Sequence, residues 1–95
     1  MPRLACFSVV GLELWFNSDD HLPPHFHAEK AGEWQVRVHF MRDREEMIAL
    51  VYTRSPRHPT KGELKVLLRE AERNRVALLK EWEAKVNVKS PGSTR

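Results

Sequence analysis

The last third of the chain carries the strongest constraint on what it can become. Thr60-x-x-Glu63 is a capping box: the threonine hydroxyl and the glutamate carboxylate reciprocally satisfy backbone N–H groups that open a helix. From there Leu64, Leu68, Ala71, Leu78, Leu79, Trp82 and Val86 recur at helical spacing and make one apolar stripe. The pattern predicts one long amphipathic helix ending near Asn87. A helix of this kind cannot bury its stripe alone, so the rest of the chain must supply the surface it covers.

That surface reads as a sheet. Residues 6 to 16 (CFSVVGLELWF) are rich in β-formers, with Val10, Leu12, Leu14 and Phe16 on one face and Val9, Gly11, Glu13 and Trp15 on the other. Asn17 to Asp20 ends this strand with turn chemistry, and Pro23-Pro24 forces an extended connection. His25 to Lys30 and Glu33 to Phe40 read as a hairpin closed at Lys30-Ala31-Gly32. On its first strand Phe26 and Ala28 oppose His25, His27 and Glu29; on its second, Trp34, Val36, Val38 and Phe40 share a face. A two-residue loop sets His27 against Val36. A three-residue loop sets His27 against Gln35, His25 against Arg37 and Phe26 against Val36, so the pattern favours three residues with Gly32 left-handed. After the charged turn of residues 41–46, Met47 to Tyr52 reads as a fourth strand, followed by a proline-containing loop over 53–59. The expected fold is α+β, a four-stranded mainly antiparallel sheet followed by one long C-terminal helix. At 95 residues there is room for one domain, read as 1–88 with a disordered tail over 89–95.

Composition excludes several classes. Apolar residues make up 41% and charged residues 31%, which rules out a chain disordered throughout. Net charge is +3, enough to permit an anionic partner and too little to demand one. The single cysteine, Cys6, allows no intramolecular disulfide and reads as a small core residue. Met1-Pro2-Arg3-Leu4 lacks the apolar stretch of a signal peptide, and no run approaches the ~20 apolar residues of a membrane helix, so a cytoplasmic location is expected.

The chemically pointed segment is His21 to Glu29. On an extended strand His25, His27 and Glu29 point the same way, roughly 6–7 Å apart. Imidazole and carboxylate are ligands of zinc, iron and manganese, so His21, His25, His27 and Glu29 form a candidate set for a divalent metal, with Asp19 or Asp20 adding to it. The hairpin brings Arg37 and His39 to the same face, an arrangement that also suits phosphate chemistry. The plain alternative is a polar sheet face whose histidines hydrogen-bond the loop before them. Arg75 falls within the helical stripe and needs either a carboxylate, Glu13 or Glu29, or a place in a pocket shared with His25 and His27. Lys65, Arg69, Arg73 and Lys80 give the helix a basic edge, while Glu63, Glu70 and Glu81 line the other side. Trp15, Trp34 and Trp82 sit at core spacing.

Asp19-Asp20-His21-Leu22-Pro23-Pro24-His25-Phe26-His27-Ala28 and Asn74-Arg75-Val76-Ala77-Leu78-Leu79-Lys80-Glu81-Trp82 together resemble a small bacterial family of unknown function marked by a D-x-H-x-P-P-H-F-H-A motif and an N-R-x-x-L-L-x-x-W helix. The resemblance runs from about Phe7 to Val86 and excludes residues 41–59. It implies a short cytosolic protein whose gene sits beside a second small gene, in arrangements similar to toxin–antitoxin pairs. It carries no catalytic activity. His21, His25, His27 and Arg75 match its motif positions.

Three functions follow as expectations. The first is a protein-binding component of a two-gene, toxin–antitoxin-like module. It docks a small acidic partner through Arg37, His39, Lys65, Arg69 and Arg73. The second is a small ribonuclease or phosphotransfer enzyme, with His25 and His27 as acid and base and Arg37 or Arg75 as phosphate clamp. The third is the histidine-rich metal domain. RNA is a second candidate partner, and the sheet face left uncovered by one helix suits a homodimer.

Overall fold

Antiparallel pairing organises the first half of the chain. In this computed structural model, which describes residues 3–17, 21–50 and 57–86, β1 (Glu13–Trp15), β2 (Phe26–Lys30), β3 (Trp34–Val38) and β4 (Ile48–Leu50) form one sheet in that order. Every neighbouring pair is antiparallel. A 3-10 turn over Arg44–Glu46 precedes β4, and α1 (Lys61–Arg73) and α2 (Arg75–Lys85) follow it. The fold is α+β, strands first and helices last.

The hairpin loop has three residues, but it lies one residue later than expected. Glu33 N–H donates to Lys30 O at 2.9 Å, and Gly32 takes φ 76°, the positive value that a type II turn requires at its third residue. The ladder therefore pairs Phe26 with Val38, His27 with Arg37 and Ala28 with Val36, not His27 with Gln35. A shift of two residues keeps every side chain on its face, so hydrophobic alternation cannot distinguish the two registers. The turn decides between them.

The first strand is shorter than expected, because the chain folds back within it. Leu12 N–H donates to Val9 O at 3.1 Å and Gly11 sits at φ 84°. Only Glu13–Trp15 pair with β2, while Arg3 bridges Trp15 and Leu4 N–H donates to Leu14 O. Val10, expected on the core face, is fully exposed at 102%. The fourth strand is seen as Ile48–Leu50, with Met47 instead ending the 3-10 turn; Val51 and Tyr52 of the expected strand, with most of the following loop, lie outside the described residues.

The capping box forms as expected, with Glu63 N–H donating to Thr60 Oγ1 at 3.1 Å and Thr60 N–H to Glu63 Oε1 at 2.8 Å. The single long helix is instead two. Asn74 sits at φ −110°, ψ 18°, outside the helical well. Its side-chain amide donates to Glu70 O at 2.7 Å, the local competition by which asparagine disfavours helix interiors. Its N–H still reaches Glu70 O and its carbonyl still accepts from Leu78 N–H, so the helices are joined through one residue. The buried positions are Leu67 and Ala71 on α1 and Leu78 and Trp82 on α2. Leu68 and Leu79 pack against the core from its margin.

The core lies between the helices and one sheet face. Phe16, Phe26, Phe40, Met47, Val36 and Val38 meet Leu67 and Leu78, all fully buried, and each such side chain contributes about 1.5–3 kcal/mol. No described helix is long and apolar enough to cross a membrane.

Candidate functional site

Strand alternation builds a second, polar face opposite this core. The register aligns Trp15, His27, Arg37 and Ala49 in one row across all four strands. Trp15 stacks on His27, ring centroids 5.3 Å apart and planes 16° from parallel. His27 meets His25 edge-on at 5.1 Å, and His25 lies 5.2 Å from His39. From α2, Trp82 approaches His25 at 5.6 Å and Phe16 at 5.8 Å. The histidines thus occupy the end of the sheet that α2 closes, and both His25 (5% exposed) and His27 (4%) are buried.

Hydrogen bonds set their protonation geometry. Trp15 Nε1 can only donate, and it does so to Asn17 Oδ1 at 3.1 Å. That orients the Asn17 amide so that Nδ2 donates to His27 Nε2 at 3.1 Å. In the neutral ring, accepting at Nε2 leaves the proton on Nδ1. His25 Nδ1 lies 2.8 Å from Pro23 O; a carbonyl only accepts, so the ring donates from Nδ1 and ties the proline segment to the strand.

His39 differs from its neighbours. It is half-buried where they are buried; like other buried ring nitrogens here, its Nδ1 has no hydrogen-bond partner among the described residues, a state that costs on the order of 1–3 kcal/mol. Burial holds its pKa below the ordinary histidine value, helped by positive charge from His25, Arg42, Arg37 and His27. A β-turn begins at this residue: Arg42 N–H donates to His39 O at 3.0 Å, and His39 N–H reaches Met47 O at 2.6 Å.

Arg75 braces that turn. Its Nε donates to Phe40 O and its Nη2 to Arg42 O, each at 2.7 Å. The expected carboxylate partners, Glu13 and Glu29, lie elsewhere: Glu13 pairs with Arg3 at 3.2 Å and sits opposite Glu29 in the ladder. The break at Asn74 changes the phase of the helix, and Arg75, at the first position of α2, meets backbone carbonyls.

The structure thus brings together His25, His27, Arg37 and His39, and places Arg75 against the turn that His39 begins. His21 is exposed and Glu29 half-buried; Asp19 and Asp20 lie outside the described residues. Among the described residues no group of three or more His, Cys, Asp or Glu side chains is placed to hold a metal ion. Lys65, Arg69 and Arg73 are exposed on α1, but Arg69 and Arg73 both approach Glu70, at 3.6 and 3.5 Å, and Lys80 belongs to the second helix. Asn17, Arg42 and the contact from Trp82 were not legible as parts of this site. Asn17 and Arg42 sit in polar turn sequences, where nothing marks one residue above its neighbours.

A family model described as a domain of unknown function, DUF4160, matches residues 11–83. No curated protein and no solved structure matches the chain. The matched span takes in β1, the histidine row, the turn after β3 and nearly all of both helices, and the chain belongs to the DUF4160 family.

Proposed function

We propose that this domain is the protein-binding component of a two-protein bacterial module of toxin–antitoxin type, working in the cytoplasm and docking a small acidic partner. The observation that carries this reading is the contrast between buried and exposed polar groups. His25 and His27 are under a tenth exposed and are held by Pro23 and Asn17. Arg75 spends two donors on backbone carbonyls. A phosphotransfer centre built on these three needs a ring and a guanidinium open to substrate. The cations that do face solvent, Arg37 and Arg42 beside the cluster and Lys65, Arg69 and Arg73 on α1, suit long-range attraction and docking of negative charge.

The test is titration of the purified chain with the product of the adjacent small gene, by calorimetry at two salt concentrations. Stoichiometric binding that weakens at high salt is expected, with no ribonuclease activity from the chain alone. Growth arrest on expressing the chain by itself, abolished by His25→Ala in a protein that still folds, would overturn the reading in favour of the enzyme.

A further inference from the structure

The fold-back at Val9–Leu12 and the first turns of α1 leave a groove of about 460 Å³ between them, a size within the ~300–1,000 Å³ of pockets that hold a ligand. Its walls are aliphatic: Val9, Val10 and Leu12 from the fold-back and Val66 from the helix. Val9 and Leu12 also pack on the core, so the groove is an open margin of that core. Val10 lines it while fully exposed. An exposed aliphatic side chain beside an aliphatic groove makes one continuous apolar surface, the kind that marks an interaction site. The charged groups that line the groove are already engaged. Lys30 Nζ lies 2.8 Å from Glu63 Oε2 and 3.6 Å from Glu33, and Glu63 also accepts from Thr60 N–H. Glu13 and Glu29 follow Leu12 and precede Lys30, but they oppose each other on the other sheet face, where Glu13 pairs with Arg3. Further along α1, Glu70 is approached by Arg69 and Arg73. Lys61 and Lys65 are left over. Each precedes a residue that lines the groove, Gly62 and Val66; both are exposed, and among the described residues neither has an ion-pair partner.

We propose that this groove receives the aliphatic side chains of an acidic amphipathic protein segment, whose carboxylates face Lys61 and Lys65. The groove deepens the binding reading above and rests on it for the partner being a protein. Its chemistry selects the occupant. The aliphatic walls supply contact energy as apolar area leaves water, and the two unmatched lysines steer a negative segment and fix its direction. A second copy of the chain, seated symmetrically, would bring the same lysines of both copies to one interface, like charge against like. A nucleic acid would need aromatic rings to stack its bases, and the groove is lined by none.

The experiment is an NMR titration of the full, methyl-labelled chain with a synthetic peptide of four Leu-Glu-Glu repeats, beside peptides of four Ser-Glu-Glu and four Leu-Lys-Lys repeats at the same ionic strength. The Leu-Glu-Glu peptide should shift the methyl resonances of Val9, Val10, Leu12 and Val66. The other two should bind at least about tenfold more weakly, one for want of apolar groups and one for its charge. Val10→Ala should weaken binding by about tenfold, because two methyl groups are no longer buried in the complex. Its urea midpoint should not change, since this side chain is exposed in the free protein. Val76→Ala, the same change at an exposed valine on α2, should leave binding as it was. Lys61→Ala combined with Lys65→Ala should weaken binding severalfold and flatten its salt dependence. Methyl shifts confined to other residues, or equal binding of the Ser-Glu-Glu peptide, would overturn the groove. Self-association that Val10→Asp abolishes, seen by sedimentation, would overturn the choice of occupant in favour of a second copy. The two readings fail separately. If the adjacent gene's product binds wild type and Val10→Asp equally, the groove is wrong and the binding module stands; if the Leu-Glu-Glu peptide maps to the groove but that product does not bind, the reverse holds.

Discussion

The two ends of β3 are both tight turns, and they treat charge in opposite ways. At the Lys30–Glu33 end every charge is answered: Lys30 Nζ lies 2.8 Å from Glu63 Oε2 and 3.6 Å from Glu33, and Arg57 reaches Glu33 at 3.7 Å. Glu63 also closes the capping box, so one carboxylate joins the hairpin to the start of α1. At the His39–Arg42 end neither Arg37 nor Arg42 has an ion-pair partner among the described residues, and the stabilising bonds go from Arg75 to backbone oxygens. The first turn is built to hold the fold. The second is held by it, through the Arg75 bonds.

Breaking the second turn's support should cost most. Trp82→Ala removes an indole packed on Phe16 and His25, and about 3–5 kcal/mol of stability should go with it, measured by urea unfolding. Arg75→Ala leaves the carbonyls of Phe40 and Arg42 without their donor; a loss of about 1–3 kcal/mol is expected, with the Met41 and Arg42 amides exchanging faster than those at Lys30–Glu33. At the matched end, Thr60→Ala removes the side-chain cap for about 1 kcal/mol.

Acid should separate the two ends by sign and by range. Glu63 has its carboxyl lowered to about 2, first by the Lys30 hydrogen bond and then by Thr60. Its contribution is complete above the ordinary value of 4.5 and is lost as pH falls from there through about 2. His39 is also depressed, by burial and by surrounding positive charge. It resists protonation when folded, so its contribution is complete above 6.5 and declines as pH falls below that value. Urea midpoints between pH 7 and 3 should show the His39 decline first, and Glu63→Gln should flatten only the later fall. The smallest effect belongs to Arg42→Gln. Stability should change by less than about 0.5 kcal/mol, while the His39 pKa moves up toward 6.5, read by NMR. A clear loss of stability in that variant would mean that Arg42 belongs to the scaffold and that the two turns do not differ as described.

The capping box, the alternation of β2 and β3, and the common face of His25, His27, Arg37 and His39 were all legible in the sequence. Each depends on side chains within a few residues of one another, or on a two-residue period that survives a register shift. The hairpin register was not legible, because both candidate pairings place apolar groups opposite apolar groups and only the turn at Lys30–Glu33 chooses. The fold-back at Val9–Leu12 was hidden by β-forming residues on either side of Gly11, whose φ of 84° appears only once the chain is folded.

The sequence by itself determined the order of elements, the start of α1 and the identity of the polar face, since those follow from local hydrogen-bonding capacity and from which residues prefer to leave water. The tertiary structure decided which polar groups are spent and which are free. Asn74 interrupts the helix, and Arg75 thereby turns to the carbonyls of the β3 turn. His25 and His27 become buried scaffold, while Arg37 and Arg42 remain at the surface. The Arg75 bonds join residues thirty-three and thirty-five positions apart, and no local pattern encodes which partner a long cationic side chain will find.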